Sequence, residues 1–287
     1  MKKPVVFSIG EIVWDCLPEG EKLGGAPVNF SYYAGKAGAV SYSVSAIGED
    51  VLGRRALESC AGFGLDTRFI QRNDLPTSRV LVEKDSAGVP RYNILENVAW
   101  DALRAPVETL SALSAADAVC WGSLAGRTEK SFDAIGQMLD AVPQRAMKVY
   151  DINIRQRYYT KEKIAGSLRR ADILKVSDEE FPVLQELFSL PEEPARAIAR
   201  LLSDYSLQMV VYTGGAKFSE IYAAEGRLSH LPTPSVDVVD TVGAGDSFTA
   251  TFVASLLLGK SVMQAHRQAV EIAARVCTCP GAIVPLD

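Results

Sequence analysis

The chain has 287 residues, 48% of them hydrophobic and 23% charged, with a formal net charge of −5. That apolar content supplies a large core and excludes a disordered chain, and mild acidity without a basic stripe argues against a nucleic-acid-binding protein. Five cysteines (16, 60, 120, 277, 279) and two histidines (230, 266) are too scattered for a zinc site and fit a reducing, cytoplasmic setting.

The first apolar run, Val5 to Ile9, reads as a buried strand; it meets Glu11 too soon to be a signal segment. Similar runs follow at 43–47, 118–121, 148–152, 173–176 and 209–213. Between them, residues 28–37, 54–63, 130–139, 181–187 and 195–202 carry apolar residues at helical spacing. Strands alternating with helices predict right-handed crossovers and a mostly parallel sheet covered on both faces. One region breaks the alternation. Residues 78–84 and 91–96, with turn residues Asp85-Ser-Ala-Gly-Val-Pro between them, read as a hairpin, and Glu11 to Leu17 with Pro18-Glu-Gly reads as a further strand and turn. A small sheet standing off the main body has the character of a lid, which would exclude water from a reacting centre. The late apolar stretch Phe252 to Leu258 is too short for a membrane span.

The segment Asp240-Thr-Val-Gly-Ala-Gly-Asp-Ser-Phe is the most specific in the chain. Its glycines permit positive φ and close approach of bare backbone to a ligand. Beyond them Phe248, Phe252, Val253, Leu256 and Leu257 recur at helical spacing, with Gly259 placed to end the helix. Gly243, Ala244, Gly245 and Asp246 therefore lie at a helix N-terminus, a natural phosphate site. Asp246 is either a helix-start carboxylate that favours the dipole or a base beside bound phosphate. No Gly-Lys-Ser/Thr follows, so the loop is not a Walker A motif.

This segment, together with Gly24-Gly25-Ala-Pro-Val-Asn29-Phe30 and Ile47-Gly48-Glu-Asp50-Val-Leu-Gly53, resembles the signatures of the ribokinase-like (PfkB) carbohydrate kinases. The resemblance runs through the whole chain in order. It implies one three-layer α/β/α domain over residues 1–287, with lid strands from about 11–23 and 77–97. It also implies phosphoryl transfer from ATP to a sugar hydroxyl. By the same resemblance Asp246 is the base, Gly243, Ala244 and Gly245 supply amides to the phosphate, and Arg155 assists. Asp15, Gly24, Gly25, Asn29 and Asn153 bind the sugar, and Thr213, Gly215 and Ala282 join Gly243 and Gly245 at ATP. Glu180 organises Mg2+ through water, and Asp240 is a candidate for a monovalent cation such as K+. Ser177 and Phe218 stand where the family usually has asparagine and glycine. Gly10-Glu-Ile-Val-Trp-Asp-Cys-Leu-Pro and Val98-Ala-Trp-Asp resemble bacterial fructokinases in particular. Kinases of 2-keto-3-deoxygluconate, ribose or nucleosides are the alternatives; Glu96, with no arginine following Arg91, favours a neutral sugar. A catalytically silent sugar-binding regulator is the non-kinase alternative. The expected partners are sugar and ATP, with no nucleic acid or membrane, and the family implies a homodimer through the lid.

Overall fold

A computed structural model describes residues 2–17, 20–84 and 90–286. The chain forms β1 (Val5–Ile9), β2 (Val13–Leu17), β3 (Gly20–Gly24), α1 (Ala26–Lys36), β4 (Val40–Gly48), α2 (Val51–Gly62), β5 (Ile70–Asn73), β6 (Ser78–Lys84) and β7 (Pro90–Ile94). It continues through α3 (Val107–Leu113), β8 (Ala118–Trp121), α4 (Glu129–Ala141), β9 (Met147–Asp151), α5 (Lys161–Leu168), β10 (Ile173–Ser177), α6 (Phe181–Phe188) and α7 (Pro194–Tyr205). The last elements are β11 (Met209–Thr213), β12 (Phe218–Ala223), β13 (Gly226–Pro232), α8 (Ala244–Leu257) and α9 (Val262–Cys277).

The main sheet has the order β13-β12-β11-β10-β9-β8-β1-β4-β5, parallel except for the antiparallel β12 and β13. Period-two alternation places the two faces of each strand in different cores. Phe7, Val119, Tyr150, Leu174 and Val210 pack towards α3 to α7, while Val6, Cys120, Val149, Ile173 and Val211 pack towards α1, α8 and α9. This is the expected three-layer α/β/α arrangement with a mostly parallel sheet. A second sheet, β3-β2-β6-β7, stands apart from it. The turns expected at 18–20 and 85–90 lie partly outside the described residues.

Capping explains why helices begin before their apolar spacing does. Asp50 accepts the Gly53 amide at 2.7 Å and so starts α2 at Val51 rather than near 54. Gly259, with φ of +83°, follows the end of α8 as its sequence position predicts. Arg127 fastens the base of the small sheet to the body. It pairs with Asp101 at 2.7 Å, donates to the Leu95 carbonyl at 2.6 Å, and lies against the rings of Trp100 and Tyr158.

His266 of α9 is buried between Ser219 of β12, 2.7 Å from Nε2, and Ser229 of β13, 2.8 Å from Nδ1. Burial, with a smaller push from His230, lowers its pKa to about 4. The unfolded chain takes this proton at about 6.5, so the fold loses stability as pH falls from about 6.5 towards 4. His266→Gln should therefore show a shallower fall of Tm than the unsubstituted chain over that interval. Calorimetry at several pH values checks this; parallel Tm curves would refute it.

Candidate active site

The site is assembled where the N-termini of α1 and α8 meet, beyond the carboxyl ends of β1, β9 and β10. Both helices start on glycine without a side-chain cap. Gly243 has φ of +80°, and a Cβ there would lie 2.6 Å from the Ala282 carbonyl oxygen. Gly25 has φ of +118°, and its Cβ would fall 2.2 Å from the Glu11 carbonyl oxygen. No other residue fits either place. The Ala244 amide is used within the loop, donating to the Thr241 carbonyl at 3.2 Å. Those of Gly243, Gly245 and Asp246 have no acceptor among the described residues and remain for an anion.

Asp246 faces Asn29 of α1, whose Nδ2 donates to its Oδ2 at 2.8 Å. Asn29 is 3% exposed, and its Oδ1 has no partner among the described residues. A buried amide oxygen left unpaired is costly, so a donor on a bound molecule would relieve it. Burial, and then the charge of Asp151, raise the Asp246 carboxyl to about 7, against the pull of Asn29 and Lys175. A carboxylate that takes and gives a proton near neutrality suits general-base work.

Two further carboxylates flank this centre. Glu11, 5% exposed, accepts the Ala26 amide at 3.3 Å and so ties the chain after β1 to the start of α1. Burial raises its pKa, opposed by its own amide and that of Ala26 and by Arg155 and Arg127. Asp15 of β2 is also raised, first by burial; Arg155 and Lys22 oppose this and Asp240 adds to it. Gly24 is pressed against Asp15, since a Cβ would stand 2.8 Å from its Oδ2. Arg155 is thus felt by both Glu11 and Asp15.

Asn153 and Arg155 lie on the loop after β9, where Asn153 adopts φ of +44°. Glu180 fixes that loop. One of its oxygens accepts the Ile154 amide at 2.8 Å; the other accepts the amide and hydroxyl of Ser177, each at 2.9 Å. Ser177, in place of the usual asparagine, is thereby a partner of Glu180. On the neighbouring strand the Thr213 carbonyl accepts the Asp178 amide at 2.7 Å, and the Gly215 carbonyl accepts the Thr233 hydroxyl at 2.8 Å. Phe218 packs against Tyr212 and His230, and its ring lies so close to Gly214 that a Cβ there would approach it to 2.5 Å. The turn therefore accommodates Phe218 by keeping Gly214 bare. Asp240 accepts the amides of Val242 at 3.1 Å and Gly281 at 2.9 Å, and the adjacent Ala282 carbonyl accepts the Tyr33 hydroxyl at 2.8 Å.

Four groups escaped sequence reasoning: Glu11, Asp151, Lys175 and Thr249. Lys175 lies inside the run Ile-Leu-Lys-Val, read as an apolar strand. A lysine on a strand covered on both faces demands a buried partner, and that was the available signal. Glu11 was seen only as the residue that interrupts an apolar run.

The chain is similar to known proteins along most of its length. Residues 18–287 match the family described as pfkB family carbohydrate kinase. A fructokinase of Klebsiella pneumoniae is 28% identical over 263 residues, covering 88% of this chain and 84% of its own. Among solved structures, ATP-bound fructokinase from Xylella fastidiosa superposes with a TM-score of 0.88 at 21% identity, covering 98% of this chain and 94% of that one. The 2-dehydro-3-deoxygluconokinase of Thermotoga maritima superposes with a TM-score of 0.82 at 18% identity, covering 99% and 96%. At such identities the superpositions speak to fold.

The glycine contacts generate a direct contrast. Gly25→Ala forces a Cβ onto backbone in a positive-φ conformation and should cost about 1–3 kcal/mol or more. Gly62, at the end of α2 with open space around it, should accept alanine with no loss. Urea unfolding of the two variants checks this; equal stability would mean that the α1 start is not constrained as described.

Proposed function

The chain belongs to the pfkB family of carbohydrate kinases, and on that premise we propose that it transfers the γ-phosphoryl group of ATP to fructose, at the C6 hydroxyl. The observation that carries the reading is the pairing of Asn29 with a proton-accepting Asp246 beside unused helix N-terminal amides. Asp246 removes the proton of the attacking hydroxyl. The amides of Gly243, Gly245 and Asp246 take up charge on the transferring phosphoryl group, and Arg155 adds a cation at its edge. Asp15, Gly24, Gly25, Asn29 and Asn153 hold the sugar: the carboxylate accepts from hydroxyls, Asn29 offers its free Oδ1, and the glycines leave room for the ring.

ATP lies along Thr213, Gly215, Gly243, Gly245 and Ala282. Among the described residues no cluster of three or more His, Cys, Asp or Glu side chains could hold a metal. Magnesium fits as an ion brought by the ATP phosphates and their waters, neutralising charge there. Glu180, its oxygens engaged with Ile154 and Ser177, would meet it through water and meanwhile positions Arg155. A monovalent cation fits less well. The Asp240 oxygens accept amides and the Ala282 carbonyl accepts Tyr33, which leaves them less free to hold such an ion.

A neutral sugar is favoured over a sugar acid by Glu11 and Asp15, which already draw on Arg155. A substrate carboxylate would meet these two acids, with Arg155 already shared between them. Glu96 is exposed and engages the Tyr158 hydroxyl, so it does not carry this preference. The small sheet acts as the lid, and its pairing between two copies would give a dimer.

The reading is tested by a coupled kinase assay with Mg·ATP and a panel of fructose, ribose, nucleosides and 2-keto-3-deoxygluconate. Fructose should turn over fastest. A sugar acid that outruns it would overturn the choice of substrate, and sugar binding without any ADP formation would favour a silent regulator. In the same assay Asp15→Ala should raise KM for the sugar about tenfold or more, the scale of a lost hydrogen bond to a charged group. KM for ATP should change little; equal effects on both would remove Asp15 from the sugar site.

A further inference from the structure

Beneath the glycine loop lies a buried polar cluster that the reaction as described does not use. Lys175, on the face of β10 that packs against α8, places Nζ 3.1 Å from Oδ1 of Asp151 at the end of β9. Both side chains are about one-tenth exposed. Thr249 of α8 donates its hydroxyl to Asp151 Oδ2 at 2.8 Å and lies 3.0 Å from the Gly245 carbonyl. A Cβ on Gly245 would stand 3.2 Å from the Lys175 ammonium. One ion pair therefore joins two strand ends to the loop that carries the amides and Asp246. Buried ion pairs contribute little net stability, because desolvation offsets their attraction. Their placement needs another reason.

We propose that Asp151 and Lys175 are positioning residues that set the proton affinity of Asp246, with Thr249 locking Asp151 in place. This rests on Asp246 being the base. Asp151 puts a like charge beside Asp246 and makes it a better proton acceptor. Burial raises the Asp151 carboxyl, and Lys175 and the Thr249 hydroxyl pull it back towards its ionised form; the same ammonium limits how far Asp151 acts on Asp246. The Lys175 ammonium is itself disfavoured by burial, but Asp151, Glu180 and Asp246 more than offset this and hold its pKa above the ordinary lysine value. Other titratable groups face Asp246 as well. Glu11 adds a further like charge from the β1 side. Tyr33 of α1 and Cys120 of β8 are kept neutral by burial, Tyr33 at about 12 and Cys120 well above its ordinary value. The groups whose charge can act on Asp246 are thus Asp151, Lys175 and Glu11.

The experiment is the pH profile of kcat/KM with Mg·ATP and the fastest sugar of the panel, measured for three proteins. Asp151→Asn keeps shape and removes the like charge, so the acid limb should move to lower pH by about one unit, the smaller end of the usual range for a neighbouring charge. Adding Lys175→Met to that variant removes the cation, so the limb should move part of the way back. The expected order is unsubstituted chain highest, double variant intermediate, Asp151→Asn lowest. Should Asp151→Asn alone fail to fold, the double variant, which removes both members of the buried pair, must still lie below the unsubstituted chain. Acid limbs that coincide in all three, with losses only in Tm, would overturn the inference while leaving the kinase reading standing. An unsubstituted chain without sugar-dependent ADP formation would sink the kinase reading, and the inference with it.

Discussion

The constraint on which the rest of the catalytic end depends is that Asp246 carries its carboxylate into a largely desolvated place at the start of α8. Burial alone pushes the proton onto it, and Asp151 pushes further. The helix N-terminus works the other way, since its amides favour negative charge. Asn29 supplies one hydrogen bond, from a residue 217 positions away in sequence. These opposing effects leave the group near neutrality, where it both gains and releases a proton. The glycines follow from the same constraint: Gly243 and Gly25 let two helix starts approach carbonyl oxygens that any Cβ would strike.

The parallel sheet supports this arrangement. β1, β9 and β10 end at the same end of the sheet, with β8 between β1 and β9, and deliver Glu11, Asp151 and Ser177 there. Glu180 then clamps the loop after β9, so that Asn153 and Arg155 have a fixed base. Asp15 comes instead from the small sheet, which pairs β2 with β6 and is fastened through Arg127 and Asp101. Sugar contacts drawn from two sheets would let closure of the small one complete the pocket, in the manner of lids that exclude water.

Much of the fold was legible because its strands are buried on both faces. Ala118–Trp121 and Met209–Thr213 are continuous apolar runs with no competing helical period. β12 and β13 were not, since Ser219, Glu220, Ser229 and His230 interrupt the apolar pattern with polar groups satisfied only in the folded chain. α9 begins with a Ser261–Gln264 capping box but dilutes its apolar face with alanine. At the site, the glycine loop and Asp246 could be read locally as an anion-binding helix start. The Asn29–Asp246 contact could not, because no local period links residues so far apart. Lys175 was hidden in the sequence among Ile173, Leu174 and Val176 of its strand.

The most direct measurement of the central claim is turnover of Asp246→Asn, with Tm recorded across pH on the same preparation. Asparagine keeps the shape, and its oxygen can still accept from Asn29, but it cannot take the hydroxyl proton. A carboxyl raised to about 7 in the fold weakens folding as pH rises from the ordinary value of about 4 to about 7, and fully above that, so the substitution should not lower Tm at pH 8. Turnover should fall by about 10²–10⁴-fold. Near-unchanged kcat with a lowered Tm would instead make Asp246 a helix-start carboxylate and contradict the account.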